Sequence, residues 1–117
     1  YFDGPQQVGM VALDAPLTAP EGTVDWLMRQ LGGGFTLLVT GEATLEAADV
    51  PDDVAADVAV VRIGKDGFAD AEGKVAARYG NGIYLVRPDQ HVTARWRSAG
   101  AEDIRAALAR CTTRVAA

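Results

Sequence analysis

Apolar positions recur along this chain in two rhythms, and the alternation between them lays out its elements. Val24, Leu27, Met28 and Leu31 fall at i, i+3, i+4 and i+7, which predicts a helix with Thr23 as its cap and Gly32-Gly33-Gly34 as its stop. Phe35 to Thr40 is almost continuously apolar between glycines, the mark of a strand buried on both faces. The stretch from Gly41 to Asp57, rich in Ala and Asp and interrupted by Pro51, predicts a loop with a weak helix. Val58 to Ile63 is a second buried strand, ended by Gly64. After a turn at Asp66 and Gly67, Asp70 is placed to cap a short helix whose Val75, Ala76 and Tyr79 face inward, and Gly80-Asn81-Gly82 closes it.

The second half ends in a hairpin and a helix. Ile83 to Arg87 and His91 to Arg97 flank Pro88-Asp89-Gln90, and the second run alternates Val92, Ala94 and Trp96 against Thr93, Arg95 and Arg97. A last helix opens near Ser98, with Glu102 and Asp103 in its first turn and Ile104, Leu108, Cys111 and Val115 as its buried stripe. Residues 1–20 hold Pro5, Pro16 and Pro20 and one short apolar stretch, Val8 to Leu13, so they read as an extended arm with one candidate strand. The domain proper is expected over 21–117. Two buried strands alternating with helices, then an antiparallel hairpin and a terminal helix, make the β-α-β…β-β-α plan of an α/β, thioredoxin-like three-layer fold with a central mixed sheet.

Composition narrows the classes of function. With 117 residues, 49% hydrophobic and 23% charged, the chain suits one ordinary globular domain. A net charge of -5 argues against nucleic acid as a partner; the arginines from Arg78 to Arg114 occupy alternating or helical positions and have acids such as Asp89, Glu102 and Asp103 among their neighbours, as on a solvated mixed-charge surface. No apolar run approaches the ~20 residues that cross a bilayer, so no membrane partner is expected. Cys111 is the single cysteine, which leaves no disulfide, CxxC pair or cysteine-based zinc site and suits a reducing cytoplasm. The first methionine is Met10, as in a processed chain or a segment of a longer protein.

Two stretches, Leu31-Gly32-Gly33-Gly34-Phe35-Thr36-Leu37-Leu38 and Tyr84-Leu85-Val86-Arg87-Pro88-Asp89-Gln90-His91-Val92-Thr93-Ala94-Arg95-Trp96, resemble the C-terminal segments of FAD-dependent aromatic hydroxylases. Those that act on 3-(3-hydroxyphenyl)propionate, phenol and polyketides are the nearest kinds. Val60-Val61-Arg62-Ile63-Gly64 and the helix from Asp70 to Gly80 fall between them in the same order, so the resemblance runs over roughly residues 8 to 117. It implies a parent enzyme that reduces FAD with NAD(P)H, forms a flavin hydroperoxide and hydroxylates an aromatic ring. The implied partners are the upstream FAD-binding and substrate domains of the same polypeptide, with a homodimer as a further contact.

Within this chain the chemistry of such an enzyme has no home. A flavin pyrophosphate needs a GxGxxG loop opening a helix, whereas Gly32-Gly33-Gly34 precedes a strand. Where a redox thioredoxin carries its CxxC, this chain has Gly41-Glu42-Ala43-Thr44, and Gly82-Ile83-Tyr84 stands where a cis-proline would accompany it. Cys111 reads as a small buried hydrophobe, and His91 as a hydrogen-bonding neighbour of the Pro88-Asp89-Gln90 turn. Asp49, Asp52, Asp53 and Asp57 lack the spacing of a calcium loop and read as solvated. Trp26 and Trp96 are candidates for a contact surface, with core packing against the terminal helix as the alternative for Trp96. No catalytic, cofactor-binding or metal-binding residue is therefore assigned. The expected role is that of a non-catalytic accessory acting through the hairpin and the arm, against the alternatives of a free-standing thioredoxin-like redox or peroxidase protein or an independent binding module.

Overall fold

The computed structural model describes residues 10–116, apart from residues 11, 13, 20, 32–33, 44, 46–48, 57, 65–66 and 71. Among these residues seven strands and four helices follow in the order β1 (Pro16–Thr18), β2 (Val24–Trp26), α1 (Leu27–Gln30), β3 (Phe35–Gly41), α2 (Asp52–Ala55), β4 (Val58–Gly64), β5 (Ala69–Asp70), α3 (Lys74–Tyr79), β6 (Gly82–Val86), β7 (Val92–Trp96) and α4 (Ala101–Ala116). The main sheet has the order β4-β3-β6-β7, with β3 parallel to β4 and antiparallel to β6, and β6 antiparallel to β7. This is the pairing expected from the two apolar runs and the hairpin. A second, small sheet has the order β2-β1-β5.

The central strands feed two cores because successive side chains leave opposite faces. Leu38 of β3 and Tyr84 and Val86 of β6 join Leu17, Leu27, Val75 and Tyr79 on one side. Leu37 and Val39, with Ile83 and Leu85, meet Val54 of α2 and Ile104, Ala107 and Leu108 of α4 on the other. Each such Leu or Ile, fully buried, contributes about 1.5–3 kcal/mol. Trp96 packs against this second core, the packing role among its two candidate roles. The buried stripe of α4 holds at Ile104 and Leu108, while the side chains of Cys111 and Val115 lie outside the described residues.

Three local expectations are corrected. The helix read over Val24 to Leu31 begins only at Leu27, because Val24 to Trp26 instead pair antiparallel with β1; a strand partner outweighs a short helical periodicity. Leu27 and Leu31 are buried as the stripe requires, whereas Val24 is 72% exposed. In β7, Leu85 opposes Ala94 while Val86 opposes Val92, so β7 carries an extra residue, a β-bulge at that step. The bulge sends Val92 to the first core and Ala94 to the second, so the strand has no single apolar face. Ala76 is exposed, leaving Val75 and Tyr79 as the inward residues of α3. As expected, α4 opens close to Ser98, at Gly100, whose N–H is accepted by Asp103 Oδ2 at 2.9 Å, half of a capping box.

Capping by Asp70 is as expected, its two carboxylate oxygens taking the Val75 and Ala76 N–H groups at 3.0 and 2.9 Å. The Tyr79 and Tyr84 rings meet edge to face, 5.2 Å between centroids, and the Tyr84 hydroxyl donates to the Tyr79 carbonyl. Burial pushes the Tyr84 phenol up to about 12, against a smaller downward pull from Arg95. The folded state therefore holds this proton more tightly than the unfolded chain, whose phenol ionises near 10. The contribution is complete below about pH 10 and is lost as pH rises toward 12. Denaturant unfolding of the wild type and Tyr84→Phe is expected to show their stability difference shrinking across that window; a constant difference would contradict the assignment.

Candidate functional site

The C-terminal end of β3 is where a sheet of this plan offers a site, since β3 and β4 run parallel and end side by side at Gly41 and Gly64. Here that end is closed by three consecutive residues of the α3–β6 connection. The buried Thr40 hydroxyl donates to Gly80 O at 2.8 Å and accepts the Gly82 N–H at 3.1 Å. Asn81 Oδ1 accepts the Glu42 N–H at 2.9 Å. Gly41 adopts φ +63°, and a Cβ there would fall 1.9 Å from Asn81 Oδ1. The Asn81 side chain thus occupies the space that a Cβ on residue 41 would take.

The hairpin tip is the second feature. Gln90 N–H donates to Arg87 O and Arg87 N–H to His91 O, closing a three-residue loop in which Gln90 takes the left-handed conformation, φ +68°. Arg87 donates to Asp89 through both Nε and Nη2, which holds the Asp89 carboxyl well below its usual range. His91 bonds back to Asp89 through its backbone N–H and lies with Nδ1 3.2 Å from the Asp89 carbonyl, the turn-bonding role expected of it. The arm meets this tip: Ala12 N–H donates to Gln90 O at 2.7 Å and Val92 N–H to Met10 O at 2.9 Å, the crossed pair of an antiparallel ladder. Arg78 also donates to the Asp14 carbonyl.

The remaining sequence candidates do not converge on a site. Asp53 is bound in bidentate fashion by Arg105, at 2.8 and 2.9 Å, and the guanidinium holds its carboxyl below the ordinary value. Arg105 also reaches Glu102, so these exposed charges tie α2 to α4. Among the described residues no His, Cys, Asp and Glu cluster could hold a metal; Asp57 lies outside them. No helix among them is long and apolar enough to cross a membrane. Gly32 and Gly33 lie outside the described residues; Gly34 leads directly into β3, so it opens no helix whose N–H groups could receive a pyrophosphate.

The model of the aromatic-ring hydroxylase C-terminal domain matches residues 5–115. This chain belongs to that family. The flavin-dependent monooxygenase PieE, solved with FAD and substrate, is 34% identical to this hydroxylase C-terminal domain, with a TM-score of 0.71 over 94% of the chain. Aklavinone-11 hydroxylase, solved with FAD and aklavinone, is 28% identical, with a TM-score of 0.68 over 86%. The domain spans 20% of the length of either enzyme. A domain of a possible thiol-disulfide isomerase from Cytophaga hutchinsonii superposes with a TM-score of 0.68 at 17% identity, over 97% of this chain and 98% of that one. Peroxidoxin BcpB from Mycobacterium tuberculosis does so at 0.62 and 17%, over 92% and 95%. The hydroxylase C-terminal domain therefore has the thioredoxin-like fold without a CxxC. No curated protein matches its sequence.

Sequence reasoning missed Thr40 and Asn81. Thr40 sat at the end of an apolar run, and Asn81, flanked by Gly80 and Gly82, read only as a helix stop. Thr40→Val keeps the shape but leaves the Gly82 N–H without its hydroxyl acceptor. It is expected to lower the unfolding free energy by about 1–3 kcal/mol, measured by urea denaturation; a neutral effect would show that the closure of the sheet end does not depend on this hydroxyl.

Proposed function

We propose that this chain is a non-catalytic C-terminal domain of a cytoplasmic FAD-dependent aromatic-ring monooxygenase, serving the enzyme's structure or its subunit contacts. In this reading the upstream domains of the same polypeptide hold FAD, accept hydride from NAD(P)H and hydroxylate a phenolic ring. The observation that carries it is the closed end of β3 in a chain matched to the hydroxylase C-terminal family. A free-standing redox protein would need a thiolate just beyond β3, and Gly41-Glu42-Ala43-Thr44 offers none.

The bonds of Ala12 and Val92 across the hairpin tip support a contact role, because they fix the arm to the end of β7 and so set the direction in which the chain arrives. The test is to remove residues 1–117 from the parent enzyme and measure thermal stability, subunit mass and single-turnover flavin chemistry separately. Loss of stability or of subunit association with flavin reduction and oxygenation intact is expected. A stable, normally assembled enzyme that can no longer reduce or oxygenate its flavin would overturn the reading.

A further inference from the structure

The small sheet β2-β1-β5 has one face turned away from the core. Pro16 opposes Trp26, Thr18 opposes Val24, and Thr18 opposes Ala69 on the other side. Directly opposed residues share a face, so these five lie on one side of the sheet, where Pro16 on the central strand is buried and Thr18 half-buried. Leu17, fully buried, opposes Asp25 and Asp70 on the other face. On the outward face Val24 is 72% and Trp26 46% exposed, and Ala69 is exposed beside them. Val24 and Trp26 are two of the three large apolar residues exposed among the described ones.

The edge of β2 is not arranged for strand addition. The bonds Ala19 N–H to Thr23 O and Leu27 N–H to Ala15 O place Val24 and Trp26 at positions whose backbone groups point away from β1. The outward Trp26 N–H is already taken by Asp25 Oδ1 at 2.8 Å, and Asp25 Oδ2 is held by Gln30 Nε2 at 2.9 Å. A side chain that occupies the edge donor blunts the edge. What remains available is the exposed side of the edge strand, which carries a tryptophan, the residue type most enriched among interface anchors.

We infer that the outward face of β2, centred on Trp26 and Val24, is the surface by which this domain docks on the upstream flavin-bearing part of its own polypeptide. The inference rests on the function proposed above. The occupant is argued from the relatives' length: this domain spans only 20% of each matched monooxygenase, so in such an enzyme most of the polypeptide lies outside it. In such a chain the adjoining domains are tethered at high effective concentration, and a small apolar face suffices for docking.

The test uses the full-length polypeptide that contains this chain and compares wild type with Val24→Lys, Val24→Ser and Trp26→Gln, and with Ala77→Lys on the exposed side of α3 as control. Hydroxyl-radical oxidation of Trp26 and the rate of proteolytic release of the intact domain are read by mass spectrometry. In the wild type Trp26 is expected to be protected, and Val24→Lys and Trp26→Gln to speed release about tenfold. Val24→Ser should act in the same direction with smaller size, which excludes a fold defect peculiar to lysine, and Ala77→Lys should have no effect. Oxidation of Trp26 that is equally fast in wild type and Val24→Lys, or release unchanged in all variants, would overturn the docking surface while leaving the proposed function standing. Halved particle mass with unchanged release would overturn it in favour of a second copy. A polypeptide with no flavin domain at all would overturn both.

Discussion

Strand β3 must satisfy two strands and two cores at once, and the remaining elements are arranged around that demand. Its seven residues register with β4 on one side, and five of them with β6 on the other, so its backbone groups are spent within the sheet. Its side chains have no solvent face: residues 36–40 are all buried. An uninterrupted apolar run can fill such a strand only if each side of the sheet is roofed. The α2–α4 layer covers Leu37 and Val39, and the layer of α1, α3 and the small sheet covers Leu38.

The same demand explains the polar residue at the end of the run. Thr40 is fully buried, and a hydroxyl there is tolerable only when both its donor and acceptor capacities are used. Gly80 and Gly82 supply the partners, and they do so because the chain turns from α3 into β6 at that point. One buried hydroxyl thereby couples the end of the central strand to the start of its antiparallel neighbour.

Legibility in the sequence followed the same physics. β3, β4 and the hairpin could be read because their apolar runs and turn residues are local signals, and the terminal helix because its stripe repeats over several turns. Val24 to Trp26 could not: over three residues, helical and strand periodicities coincide, and the deciding partner, Pro16 to Thr18, lies in a segment that looks like a linker. The bulge in β7 was equally hidden, since Val92 and Ala94 are both small and apolar and only the register with Leu85 and Val86 separates them. The absence of redox and flavin motifs was plain from residue types alone. The closure of the sheet end by Asn81 was not, because it depends on a contact between residues 39 positions apart.

That closure bears on how such a domain could change over evolutionary time. A cysteine at position 41 would have to adopt φ +63° and would collide with the Asn81 amide, while loss of Asn81 alone would strip the Glu42 N–H of its acceptor. A side chain at position 41 therefore requires the Asn81 side chain to move as well as a left-handed backbone to be tolerated. Gly41 and Asn81 are thus coupled positions, where a change at the first is met by the side chain of the second.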